Sequence, residues 1–276
     1  MTYINHDDFD FEVKSRPIFN SKGEEIDGYQ SIERIDNGVS LGIHKSRYKL
    51  VPYSNIVEST LDAVKASNVS KDYSLKTMVT DGGAKLRGEI LFNDLVTEPA
   101  VGDYVKFRIS FFSSYDGSWA FELSADALRL WCTNGCATAH AAARTKMRHM
   151  SSLSIEAATS KINLALDNFM NQPELWNRWR KEAIDTKTAE KFLGNTIAKL
   201  PSHITSKSKV NETQLEKLMV QWGREHRELG QNKWALYNTM TYWSSHTEGY
   251  SNPEVTRRNR ELDVINAIKS KDWEEL

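Results

Sequence analysis

The chain has 276 residues and a formal charge of −1, from 36 Lys and Arg against 37 Asp and Glu. That balance excludes a protein that coats nucleic acid through bulk positive charge, but leaves room for a local basic stripe. No apolar run approaches the ~18 residues of a membrane helix, the start is acidic with no apolar leader, and two cysteines are too few for a disulfide scaffold, so a non-membrane protein of a reducing cytoplasm, with a core of its own, is expected.

Residues 1–38 read as an acidic arm: nine acids face four bases up to residue 37. Turn signals at Ser21-Lys22-Gly23 and Asp36-Asn37-Gly38 leave room for short strands near Phe9–Val13 and Gly28–Ile35. A strand over 39–53 turns at Pro52, and Ile56, Val57, Leu61 and Val64 then recur with helical spacing behind Ser54. Strands follow at Tyr73–Thr80 and Ala84–Asn93, joined by Asp81-Gly82-Gly83, a strong hairpin signal. Tyr104–Ser113 alternates Val105, Phe107, Ile109 and Phe111 with Lys106, Arg108 and Ser110, which predicts one buried face and one wet, basic face. Asp116-Gly117 turns into a further strand over Trp119–Leu130.

Residues 131–150 are rich in Gly and Ala, and no acid occurs between Asp126 and Glu156. This stretch predicts a turn from strand into a helix with a basic outer face. From Ser154 the pattern is helical: Ile155–Met170, Pro173–Leu193, Glu212–Arg227, Ala235–His246 and Leu262–Lys269. Lys199–Val210 and residues 249–260 read as loops. The expected fold is α+β: an antiparallel β-meander with packed helices over 39–150 and a helical C-terminal region over 151–276, behind the arm at 1–38.

Phosphate-loop, dinucleotide-loop, zinc-protease and nucleophile-elbow motifs are absent, so the sequence supports no cofactor and no catalytic residue. Cys132, Cys136 and His140 fall on one stripe if the segment is helical; buried packing and a zinc site with His149 as fourth ligand are both open to them. Asp7, Asp8 and Asp10 offer a carboxylate cluster to a metal-dependent nuclease, or a solvated acidic face. The basic and aromatic residues are more informative. Arg47, Lys49, Lys106, Arg108, Arg144, Lys146 and Arg148 are candidates for phosphate contacts, with Tyr115 and Trp119 as stacking faces, because cations track a single strand's backbone while rings take its bases.

Several stretches resemble the phage and plasmid proteins that carry domain of unknown function 932. They are Ser46-Arg47-Tyr48-Lys49-Leu50-Val51-Pro52-Tyr53 with Asn55, Ser114-Tyr115-Asp116-Gly117-Ser118, Arg129 to Gly135 with Ala139, and Asn232 to Tyr242 with His246. The resemblance implies a mobile-element protein in a bacterial cytoplasm and transfers no catalytic site. The order of helix, meander with an Asp-Gly-Ser turn, and basic helix is also similar to the core of strand-annealing recombination proteins. Those bind single-stranded DNA between a sheet and a helix, often as rings. The expectation is therefore a non-enzymatic homo-oligomer that binds single-stranded DNA. The alternatives are a phage protein that inhibits a host defence or replication protein, and the metal nuclease.

Overall fold

The computed structural model describes residues 3–4, 9–68, 70–100, 102–129, 135–136, 144–200, 209–246 and 250–276. Ten strands and eight α-helices lie among them, and the fold is α+β. The chain divides into two compact units, both discontinuous in sequence. The first comprises Met1–Leu95, Phe107–Ala125 and His140–Asn168; the second comprises Val96–Lys106, Asp126–Ala139 and Phe169–Leu276.

A small sheet of order β2-β3-β4 opens the first unit, from Val13–Arg16, Tyr29–Arg34 and Ser40–Lys45. Both pairings are antiparallel. Its inner face carries Val13, Ile32 and Gly42. Gly42 is required there, because a Cβ would stand 2.5 Å from the Tyr115 carbonyl oxygen.

Next comes α1, Tyr53–Ser67, which buries Tyr53, Ile56, Val57, Thr60, Leu61 and Val64. Their 3.6-residue recurrence is the reason this stretch becomes a helix with one apolar stripe. At its end Asn68 takes the left-handed conformation (φ 51°), which Asn tolerates better than most residues.

A larger sheet has the order β1-β5-β6-β7-β8-β10, with β9 also on β8. Its strands are Tyr3–Ile4, Tyr73–Thr80, Lys85–Ala100, Asp103–Ser114, Phe121–Arg129, Gly135–Cys136 and Arg144–Met147. The meander from β5 to β8 is as the alternation predicts, while β1 joins β5 in parallel. Within the first unit, Leu75, Leu86, Ile90, Phe92, Phe107, Ile109, Phe111, Phe121 and Leu123 are buried along these strands.

Three expectations are corrected. The wet face predicted for β7 does not exist beyond Lys106: every residue from Phe107 to Ser114 is buried. A central strand is covered on both sides, so its polar residues must find partners. Arg108, only 3% exposed, donates to Glu89 at 3.1 Å, and Arg87 reaches the same carboxylate. Second, Arg144–Met147 is a strand paired antiparallel to Ser124–Phe121, not part of a basic helix. Third, the helix expected over Leu262–Lys269 already begins at Pro253, within the stretch 249–260 that reads as a loop. Asn252 caps it by accepting from the Val255 N–H, and Pro253 sits in the first turn, where its missing donor costs nothing.

The second unit contains most of the helices: α3 (Ile162–Lys181) begins in the first unit, and α4 (Thr186–Asn195), α5 (Glu212–Leu229), α6 (Lys233–Ser245), α7 (Pro253–Ile268) and α8 (Lys271–Glu274) follow. The short α2, Ile155–Thr159, belongs to the first unit. α3 runs through Pro173, where a break was expected, and ends instead before Asp185, whose carboxylate caps α4. The tryptophans form this unit's core. Trp176 packs 5.5 Å from Trp234, and Trp179 lies 5.2 Å from both Tyr237 and Trp273. The indole N–H of Trp234 donates to the buried Asp103 carboxylate at 2.9 Å, so the ring is buried without an orphaned donor. No helix among the described residues is long and apolar enough to cross a membrane.

Candidate nucleic-acid interface

Three segments of the first unit converge on one groove: the end of β4 with the turn after it, the turn after β7, and β10 with the residues that follow. The chain turns at Ser46-Arg47, where the Ser46 N–H donates to the Gly28 carbonyl and that of Tyr48 to Lys45. This brings the Tyr48 ring between two imidazoles. His44 stacks on one face at 4.0 Å and 12°, His149 on the other at 5.0 Å and 14°. The Tyr48 hydroxyl donates to the Ser114 carbonyl at 2.7 Å, and burial pushes its pKa well up, so it stays neutral.

His149 is buried, with Nδ1 at 3.3 Å from the Lys49 carbonyl oxygen and Nε2 at 3.2 Å from the Ser113 hydroxyl. A neutral ring with its proton on Nδ1 satisfies both contacts. Burial lowers its pKa below the ordinary value; the Lys49 carbonyl opposes this and His44 adds to it. The groove floor therefore contributes rings rather than charge.

Beneath it the Tyr115 and Tyr53 rings stack at 3.9 Å, the Tyr115 hydroxyl accepts from the Tyr53 N–H, and the Tyr53 hydroxyl donates to the Ala84 carbonyl. The turn at Asp116-Gly117 closes one wall. Burial raises the Asp116 pKa, but the hydrogen bonds from Ser118 and Ser114 and the charge of Lys85 outweigh it and hold the carboxyl below its usual range. Gly117, at φ +73°, brings its backbone against the His44 ring, where a Cβ would stand 2.7 Å away.

The cavity so formed has a volume of about 510 Å³ and is lined by His44, Lys45, Arg47, Tyr48, Gly117, Trp119, Ala120, Lys146, Arg148, His149 and Met150. Among the described residues no carboxylate lines it. Lys45, Arg47, Lys146 and Arg148 are exposed, and none makes an ion pair among the described residues. Unpaired cations at a concave, ring-backed surface attract a polyanion more than dispersed surface charge does.

Arg47, Lys146 and Arg148 of the expected set thus meet here, although they are about a hundred positions apart in sequence. Lys49 is exposed but turns away, its amine donating to the Leu153 carbonyl at 2.9 Å. Lys106 belongs to the second unit and Arg108 is buried. Trp119 does line the cavity but is only 5% exposed, and Tyr115 is 0% exposed and does not line it, so neither presents an open ring face. Arg144 begins β10 opposite Ser124. Its side chain lies outside the described residues, as do Cys132, His140, Asp7 and Asp8; Cys136 sits in β9, a strand and not a helical stripe, and Asp10 is exposed.

Sequence reasoning missed Lys45 and His44, and weighed His149 only as a zinc ligand, not as a stacked ring. The period-two run Lys45, Arg47, Lys49 was the signal for the first. For the rings there was none, because stacking across 105 positions leaves no local trace.

These features define an α+β protein with a basic, aromatic-backed groove on its strand-rich unit. The family described as Domain of unknown function (DUF932) matches residues 40–266, and the chain belongs to it. All groove residues fall within that span. No curated protein and no solved structure matches the chain.

Proposed function

We propose that this protein binds single-stranded DNA in the groove and performs no chemistry on it, within the DNA metabolism of a phage or other mobile element. The observation that carries the reading is the set of four exposed cations, Lys45, Arg47, Lys146 and Arg148, around a groove that no carboxylate among the described residues lines. A cavity of about 510 Å³ is in the range of small-ligand pockets, which suits a nucleotide or two of a flexible strand better than the face of a duplex. We do not extend the reading to annealing, for which the sequence offered the order of elements and a basic helix; Arg144–Met147 of that stretch is a strand.

The test is fluorescence anisotropy of a labelled single strand of about 30 nucleotides across a salt series, with duplex as comparison. Each phosphate contact on a single strand contributes about 0.7 to the slope of log affinity against log salt. The double variant Lys146→Glu/Arg148→Glu should therefore weaken binding and flatten that slope by about 1.4. No binding at low salt, where attraction between opposite charges is strongest, would overturn the proposal. It would leave in front the reading of a protein that engages a host protein.

A further inference from the structure

The end of β4 lies at the rim of the groove. Lys45 lines the groove and is also the direct cross-strand partner of Tyr29. In the pairing register, Tyr29, Ser31, Ile43, Lys45 and Arg16 share the outer face of β2-β3-β4, because Arg16 pairs with Ser31 and Ser31 with Ile43. That face is open: Tyr29 is 45% exposed and Ile43 64%. The Tyr29 ring makes no ring contact among the described residues, and Arg16 is exposed with no ion pair among them. Tyr29 is the diagonal neighbour of both Arg16 and Ile43, a separation of about 7–8 Å. An exposed ring and a β-branched side chain between two cations, on a sheet face that shares Lys45 with the basic groove, make a stacking platform for an unpaired base.

Resting on the DNA-binding reading, we infer that the strand leaves the groove over this sheet face, with a base stacked on Tyr29 and the phosphates held by Lys45 and Arg16. The acids Glu24, Glu25 and Asp27 stand on the hairpin between β2 and β3 and mark where the path ends. Glu33 shares the face beside Lys14, which is itself paired with Glu12, so that row contributes no net attraction. Tyr29 takes the part that Tyr115 and Trp119 cannot.

The experiment compares thymidine oligonucleotides of about 6 and about 20 nucleotides, one near the lower end of the usual footprint of a single-strand site and one beyond its upper end. Both are measured by anisotropy against the wild type, Tyr29→Ala and Tyr29→Phe. The Ala variant should bind the longer strand about 5-fold or more weakly, while the Phe variant, which keeps the ring, stays near wild type. The shorter strand, held in the groove, should be indifferent to both. A 5-iodouracil in the longer strand should photo-cross-link to the peptide containing Tyr29.

If wild type binds neither length, the groove reading fails and takes this one with it. If Lys146→Glu/Arg148→Glu abolishes binding but Tyr29→Ala leaves the longer strand unaffected, the groove stands and the sheet path falls. The path also falls if Tyr29→Phe loses as much as Tyr29→Ala. Sedimentation of the free protein covers the remaining case: a change of oligomeric state in Tyr29→Ala makes the face an interface between copies of this chain and overturns the inference.

Discussion

His149 is where a single side chain ties the groove to stability. Its ring accepts from Ser113, stacks on Tyr48 and meets the Lys49 carbonyl, all as a neutral base. Its native pKa lies below the unfolded value near 6.5, so between those two values the unfolded chain binds more protons than the folded one. Stability is therefore fully present above about pH 6.5 and falls as pH drops through that window, levelling off below the native pKa. Urea midpoints at about pH 7.5 and 5.5 should show the loss, and His149→Asn should remove most of the pH dependence while lowering stability at both; an unchanged slope would mean that another group carries it. Arg47, Lys146 and Arg148 were legible in sequence as basic residues of acid-poor stretches, although Lys146 and Arg148 were placed on a helix and Lys45 was missed. Tyr115, Trp119 and Arg108 were misplaced because alternation reports a two-sided strand but not whether the second side is covered.

At the level of elements, β6 and β7 approach closely because Gly88 has no side chain. A Cβ there would stand 2.0 Å from the Phe111 ring, which is itself fully buried. Gly88→Ala should cost about 1–3 kcal/mol through overpacking, read as a lower urea midpoint at unchanged slope, and Phe111→Leu in the same chain should recover part of it. Loss unaffected by the second change would assign the cost elsewhere. Helix α1 and strands β5 to β8 were readable because their periodicities are clean. The strand at Arg144–Met147 was not, since the alanines around it favour helix while Arg144-Thr145-Lys146-Met147 has the two-residue period, and pairing with β8 decides for the strand. Asn252-Pro253 looks like a loop signal and is a helix start; only the packing of Val264, Ala267 and Ile268 behind it makes the distinction.

For the molecule as a whole, the sequence shows strands giving way to helices near residue 150, but not how the compact units are drawn from it. The chain passes between them after Leu95, Lys106, Ala125, Ala139 and Asn168, so each unit is assembled from three segments. A fragment ending at residue 150 lacks α2 and the start of α3 from the first unit and the segment Phe169–Leu276 of the second. It should be unfolded or insoluble when expressed alone, as circular dichroism would register; a cooperatively melting fragment would show that 151–168 are dispensable to the first unit. The same division has a kinetic consequence during synthesis. The Asp103 carboxylate waits for Trp234, 131 positions later, and the Lys49 carbonyl waits for His149, 100 positions later. At about 5–20 residues per second on a ribosome, the buried acid spends several seconds without the indole that satisfies it. Loop closure over such separations makes refolding slow, and it leaves the growing chain dependent on holding β6 and β7 away from other nascent strands until its last third emerges.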